Sequence, residues 1–280
     1  MNAIEIKGLQ KNYGDFKLGP IDLTLPEGCI MGLIGENGAG KSTTIKAMLD
    51  MITAGGSIRL LGKDVRESSA LLKQDLGVVP DEIGLPEGLN IRQVEKIMAD
   101  SFRNWDSQQF NDYMKRFNLP EKKAFKTFSK GMKMKLGIAI ALSHKAKLLI
   151  LDEPTSGLDP LVRDEIVGIL NDFTREESHS ILISSHIVSD LEKICDYIAF
   201  LHKGKLMLCD EKDRLLERYG LLQTTPEILR NLDASAVLGK RVTDYGAEAI
   251  VARDKVPQSF EIQPVSIEEL FIIMAKEALQ

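Results

Sequence analysis

The chain has 280 residues, of which 44% are hydrophobic, with a formal net charge of −5 at pH 7. That length and apolar content suffice for one large domain, or one domain with a smaller appendage, around a sizeable core. The acidic balance excludes the globally basic surface that usually marks a nucleic-acid binder, and no nucleic-acid partner is expected. The first residues, Met1-Asn2-Ala3-Ile4-Glu5, do not pair a basic segment with an apolar one, and no apolar run approaches the ~18 residues of a membrane span. Membrane association is therefore expected to be peripheral or through another chain.

Residues 1 to 84 read as short strands and turns. Ala3-Ile4-Glu5-Ile6 alternates, Ile21-Asp22-Leu23-Thr24-Leu25 alternates up to the Pro26-Glu27-Gly28 turn, and Ser57-Ile58-Arg59-Leu60-Leu61 follows Gly55-Gly56. This pattern predicts half-buried antiparallel strands. Among them the apolar run Ile30-Met31-Gly32-Leu33-Ile34 leads into Gly35-Glu36-Asn37-Gly38-Ala39-Gly40-Lys41-Ser42-Thr43, the pattern G-x-x-x-x-G-K-[ST]. Its glycines let backbone N–H groups close round phosphates, Lys41 reaches β/γ oxygens and Ser42 offers a hydroxyl to Mg²⁺. A helix starting near Lys41 adds its positive end. Chance would produce this pattern roughly once per hundred chains of this length, so a nucleoside triphosphate site is expected.

From about 86 to 145 the period turns helical, with Ile91, Val94, Ile97 and Met98 spaced for one face and a break at Pro120. Between Lys115 and Lys147 ten basic residues stand against one acid, Glu121, which predicts a locally positive surface: a solvated face, or a contact with anionic headgroups or an acidic partner. Ser129 can cap a helix whose first N–H groups, including that of Gly131, point at an anion. Two fully apolar strands follow, Leu148–Leu151 and Ile181–Ile183, separated by a helix-like stretch from 160 to 176. This is the βαβ order of a buried parallel sheet.

The first of these strands ends in Asp152-Glu153, an unusual finish for a core strand. Asp152 is placed to hold Mg²⁺ through water, and Glu153 to accept a proton from, or orient, an attacking water. After Gly204 the character becomes mixed, with helix signals at 211 to 219, a strand-like Glu248-Ala249-Ile250-Val251 and a last helix presenting Ile267, Leu270, Phe271 and Met274. Residues 206 to 280 are read as a small α+β appendage whose last helix presents its apolar stripe to internal packing or, as the alternative, to a partner. Cys29, Cys195 and Cys209 form no C-x-x-C pair, which suits reduced thiols in a cytosolic protein.

Phe128-Ser129-Lys130-Gly131-Met132 precedes the carboxylates, Ser156-Gly157-Leu158-Asp159 follows them, and His186 lies past the next apolar strand. In this order the series resembles the nucleotide-binding subunit of ATP-binding cassette (ABC) transporters over residues 1 to about 205. The resemblance implies an α/β fold over residues 1–205: a P-loop NTPase core with an antiparallel β subdomain and a helical subdomain at about 86 to 145, to which the appendage at 206 to 280 would be an accessory domain. It implies that Tyr13 stacks on adenine, and that Gly35, Asn37, Gly38, Ala39, Gly40, Lys41, Ser42 and Thr43 bind the nucleotide. Ser42 and Asp152 would manage Mg²⁺, Glu153 would be the catalytic carboxylate and His186 would contact the γ-phosphate. Asp159 would belong to the D-loop. Ser129, Lys130, Gly131 and Met132 would form the signature, which the family uses in trans, so a homodimer or a paired ABC ATPase subunit is expected.

Two positions depart from the usual family pattern. Lys130 and Met132 stand where the signature commonly carries glycine and glutamine, and Asp81, after Val78-Val79-Pro80, stands where the Q-loop carries glutamine. Asp81 is still able to ligate a hard cation, while adding negative charge beside the phosphates. The implied function is ATP binding and hydrolysis driving a separate integral-membrane permease through dimer closure, exporter-like, at the cytoplasmic face of the membrane. A soluble ABC-type ATPase acting on ribosomes or DNA, or a weakly active nucleotide-sensing subunit, are the alternative readings.

Overall fold

The computed structural model describes residues 1–67, 69–243 and 246–277. In β1 (Asn2–Asn12) and β2 (Lys17–Pro26) buried and exposed side chains alternate, with Ile4, Ile6, Leu9, Leu23 and Leu25 turned inward. β3 (Ile30–Ile34) is buried at every position and delivers the chain into the glycine-rich loop, after which α1 (Lys41–Met48) begins. β4 (Gly55–Leu60), β5 (Lys63–Asp64), the short α2 (Ser69–Leu72) and β6 (Leu76–Val79) follow.

The helical region comprises α3 (Ile91–Ser101), α4 (Ser107–Arg116) and α5 (Lys130–Leu142). Each starts at a side chain that accepts a backbone N–H: Asn90, in a reciprocal box with Gln93, Asp106, and Ser129. Such caps satisfy donors that the helix itself leaves open. Ile91 and Val94 are buried as the period predicts, whereas Ile97 is exposed. Then come β7 (Leu148–Asp152), α6 (Pro160–Phe173), β8 (Ser180–Ser185), α7 (Val188–Ile194), β9 (Tyr197–His202) and β10 (Lys205–Glu211).

Among the described residues these strands form a four-stranded antiparallel sheet, β2-β1-β4-β5, and a six-stranded sheet ordered β10-β9-β3-β8-β7-β6. In the latter, β3 pairs in parallel with β8 and β9, and β7 with β6 and β8. The alternating runs at 3–6, 21–25 and 57–61, read as antiparallel, fall on β1, β2 and β4 of the antiparallel sheet, while β3 and β6 join the parallel strands. β3 has no polar position to leave in water, so it is buried on both faces, as parallel strands are.

The chain divides into two compact units, Met1–Leu208 and Cys209–Gln280. The division falls a few residues after 205 because β10 pairs with β9 at the edge of the six-stranded sheet. The second unit contains α8 (Lys212–Arg218), β11 (Tyr219–Thr224), α9 (Pro226–Asn231), β12 (Val237–Thr243), β13 (Gly246–Ala252), β14 (Ile262–Gln263) and α10 (Ile267–Glu277). Its described strands form an antiparallel sheet ordered β12-β13-β11-β14. Leu222, Leu229, Ala249 and Val251 belong to one apolar cluster of this unit. On α10, Ile267, Leu270, Ile273 and Met274 are buried while Phe271 is half-buried, so the apolar stripe packs internally, chiefly against β12.

β9 returns into β10 through Lys203-Gly204, both with positive φ, 45° and 79°, the backbone demanded by a two-residue hairpin turn. Gly204 donates its N–H to the Ala39 carbonyl at 2.9 Å and accepts from the Gly19 N–H at 2.6 Å. A Cβ there would meet the Lys17 carbonyl oxygen at 1.9 Å. Gly204→Ala is expected to destabilise the protein by about 1–3 kcal/mol, read as a lower urea midpoint; an unchanged midpoint would show that the turn relaxes freely.

Candidate functional site

Neighbouring strands of the parallel sheet release chemically active residues at their carboxyl ends. β3 leads into Gly35, β6 into Pro80-Asp81, β7 ends at Asp152 with Glu153 next, and β8 leads into His186. This is the edge where open α/β sheets bind ligands. A cleft here is lined by Phe16, Glu36, Asn37, Gly38, Gly40, Lys41, Ser42, Thr43, Asp81 and Glu153. Gly40, with φ 111°, is the N-cap of α1, and a Cβ on it would meet Leu18 Cδ1 at 2.5 Å and Phe16 Cζ at 3.2 Å. The loop therefore turns into the helix on a residue without a side chain, and the open N–H groups of the first turn are left for an anion.

Lys41 is buried, its side chain only 5% exposed. Its ammonium donates to the Gly35 carbonyl at 2.7 Å and the Glu36 carbonyl at 3.3 Å, and pairs with Glu153 Oε1 at 3.0 Å. A buried cation demands such partners. Phosphate oxygens can take the place of the two carbonyls, since each supplies the same acceptor with a full negative charge.

Glu153 has φ +52°, a left-handed conformation that costs a residue with a side chain about 1–2 kcal/mol. Its N–H is held by the Ser184 carbonyl and the Ser184 hydroxyl, each at 3.1 Å. That hydroxyl donates to Asp152 Oδ1 at 2.5 Å, in register with the Asp152–Ser184 pairing of β7 and β8. The kink sends the Asp152 and Glu153 carboxylates in different directions. Glu153 Oε2 lies 2.7 Å from His186 Nδ1 and also accepts the His186 N–H at 3.4 Å. Because an ionised carboxylate only accepts, Nδ1 carries the proton. One carboxylate thus joins the buried ammonium on one oxygen to the half-exposed imidazole on the other.

The family model described as ABC transporter matches residues 18–156. The bacitracin transport ATP-binding protein of Enterococcus faecalis is 36% identical over 209 residues, covering 73% of this chain and 68% of that protein. The chain belongs to the ABC transporter family. An ABC transporter ATP-binding protein of Bacillus subtilis (strain 168), uncharacterized, is 30% identical over 283 residues, 97% of this chain and 92% of its own. A solved structure of the ATP-binding subunit of an ABC transporter superimposes with a TM-score of 0.69 at 27% identity, covering 76% of this chain and 91% of that one. The protein is an ATP-binding and ATP-hydrolysing subunit of an ABC transporter.

Within this ABC cassette, Ala39 lies buried beneath the loop while Asn37, Gly38, Ser42 and Thr43 line the cleft with Lys41. Tyr13 is exposed, under the Lys11 ammonium at 5.3 Å, and is not among the cleft-lining residues; Phe16, in the same β1–β2 turn, is. Ser129 accepts the Met132 N–H at 3.2 Å as cap of α5, with Lys130, Gly131 and Met132 forming its first turn. Asp159 caps α6 by accepting the Val162 N–H at 3.0 Å.

Three site residues escape a reading of the sequence. Phe16 is overshadowed by Tyr13, three positions earlier. Ser184 ends an apolar strand and signals only as a hydroxyl just before His186. Arg163 places its Nε 3.5 Å from the buried Asp190 carboxylate and donates to the Leu158 carbonyl at 3.4 Å, tying the Ser156–Asp159 turn to α7. Ser184→Ala leaves one Asp152 oxygen and one Glu153 N–H contact unmet. It is expected to cost about 1–3 kcal/mol of stability and to lower kcat more than it changes KM for ATP, measured by steady-state phosphate release.

Proposed function

We propose that the Met1–Leu208 unit hydrolyses ATP by in-line attack of water on the γ-phosphorus, with Glu153 taking the proton. The single observation that supports this most is the Glu153 carboxylate held between Lys41 at 3.0 Å and His186 at 2.7 Å. A water in this cleft finds an acceptor of fixed orientation beside a phosphate-directed cation. As the bond from the water oxygen to the γ-phosphorus forms, the bond to the β–γ bridging oxygen breaks and the proton passes to Glu153. Lys41 neutralises charge on the β/γ oxygens, while His186, through Nδ1–H, fixes the carboxylate and presents the other edge of its ring to the γ-phosphate. Loop N–H groups from Gly35 through Thr43 hold the remaining oxygens, and the adenine would lie against the β1–β2 turn, where Phe16 lines the cleft and Tyr13 stands exposed.

Mg²⁺ fits the oxygens that this cleft offers. The Ser42 hydroxyl and the Asp81 carboxylate line it, and Asp152, buried next to Glu153, keeps one oxygen that Ser184 does not engage; all three are hard donors. Among the described residues no three acids, histidines or cysteines cluster as a protein cage, as suits an ion bound largely by phosphates and water. When bound it would spread positive charge over the β and γ oxygens.

The Ser129–Met132 turn opens α5 with helix N–H groups suited to a phosphate. We read it as acting on the nucleotide of a second ATPase subunit, a copy of this chain or a related one, so that ATP closes the pair and hydrolysis reopens it. The helical region would carry this motion to the permease. Among the described residues no helix is long and apolar enough to cross a membrane; we place the chain at the cytoplasmic face, attached through that permease. We read the chain as of the exporter-like type, with 206–280 as an accessory domain; relatives named as transport ATP-binding proteins support the transport role.

Phosphate release from MgATP is expected to rise more steeply than linearly with protein concentration if copies pair with one another; strict linearity would argue against pairing. Glu153→Gln should reduce turnover at least about a hundredfold while ATP is still bound and the pair stays closed, seen by gel filtration with ATP. Lys41→Ala should weaken ATP binding by about ten- to a hundredfold, measured by equilibrium titration. Retained turnover in the glutamine variant would remove Glu153 from the proposed role.

A further inference from the structure

Asp81 and Lys130, the two residues that break the family's usual pattern, meet each other. Lys130 Nζ lies 3.6 Å from Asp81 Oδ1, and each side chain is about half exposed, 49% and 51%. They are 49 positions apart in sequence and reach one point from opposite directions. Asp81 follows β6 and lines the phosphate cleft beside Lys41, Ser42 and Glu153. It also lines an adjoining cleft with Glu82, Lys130 and Lys133, so its carboxylate stands on the wall between the two.

Lys130 has no evident reason of its own to be where it is. It is the first residue of α5, and no acid stands in that first turn. A cation at a helix N-terminus faces the positive end of the dipole and is unfavourable there. A carboxylate beside a triphosphate is unfavourable too. Placed together, each charge removes the other's penalty. The lysine stem also crosses the turn at Gly157, where a Cβ would lie 3.6 Å from Lys130 Nζ and 3.7 Å from its Cδ. One side chain therefore touches the segment after β6, the start of α5 and the turn before α6.

We propose that Lys130 is a positioning residue for nucleotide binding within its own chain. It neutralises Asp81 and holds that carboxylate on the cleft wall, so that an acid serves where a neutral amide otherwise would. This rests on the ATP-binding reading of the cleft given above. The alternative for the same lysine, direct contact with the nucleotide of a paired subunit, makes an opposite prediction, because that role does not depend on the charge of Asp81.

The test is the full-length protein with Lys130→Met, Asp81→Asn and the double substitution, titrated with MgATP for KM and kcat, and with a fluorescent ATP analogue for affinity. The positioning pair predicts that Lys130→Met raises KM and Kd about two- to fivefold, the range of an exposed ion pair. In the Asp81→Asn background the same substitution should have almost no effect, because nothing is left to neutralise. The Lys130→Met defect should also fade toward 0.5 M KCl, roughly where exposed charges are screened within a few ångströms. Equal penalties in both backgrounds, or none in either, would overturn the pair. Wild-type protein that binds no MgATP would instead overturn the nucleotide reading beneath it, which keeps the two failures apart. Equal melting temperatures of the three variants, with KM still shifted, separate this role from a merely structural one.

Discussion

A lysine ammonium buried at the foot of the glycine-rich loop governs the arrangement around it. Removing such a charge from water costs several kcal/mol unless acceptors replace the lost hydration, and Lys41 finds them in the Gly35 and Glu36 carbonyls and the Glu153 carboxylate. Glu153 reaches it only from a left-handed backbone. That conformation in turn is held by Ser184, whose hydroxyl also fastens Asp152. The ends of three parallel strands, β3, β7 and β8, are thus tied together at one edge around one cation, and the charges needed to handle a triphosphate are the charges that satisfy one another in the fold.

Overall charge does not explain how the cleft would receive a triphosphate. The chain carries a net −5 and the cleft sets the carboxylates of Glu36, Asp81 and Glu153 beside the single ammonium of Lys41, so the groups left to meet phosphate are that ammonium and the open N–H groups of the loop and helix start. Long-range attraction of an anion is weak for such a surface, and recognition falls to short-range, well-oriented donors. The basic stretch from Lys115 to Lys147 does not form one undivided field, since Lys115, Lys130 and Lys135 pair with Asp112, Asp81 and Glu165.

Much of this was legible in the sequence because phosphate chemistry depends on contiguous residues. The loop from Gly35 to Thr43, the Asp152-Glu153 pair and the cap at Ser129 each act through backbone groups a few positions away, so spacing alone reveals them. The apolar runs of β7 and β8 announced a sheet buried on both faces. What stayed hidden is tertiary. Ser184 matters only because β8 lies beside β7 in a particular register, and the Asp81–Lys130 contact requires β6 and α5 to converge. Phe16 lost to Tyr13 because both lie in one turn and spacing does not say which ring faces the cleft. Ile97 fitted the helical period but sits at the exposed margin of its face.

The hairpin turn at Gly204 bears on where the catalytic unit can be cut. Its N–H holds the Ala39 carbonyl, inside the phosphate loop, and its carbonyl holds Gly19 of β2. Stopping the polypeptide at the end of β9 would keep every motif residue and yet remove the peptide that pins the loop from behind. The shortest chain that keeps the loop pinned therefore extends at least to Gly204, and its limit is set by two backbone hydrogen bonds instead of by the last recognisable motif.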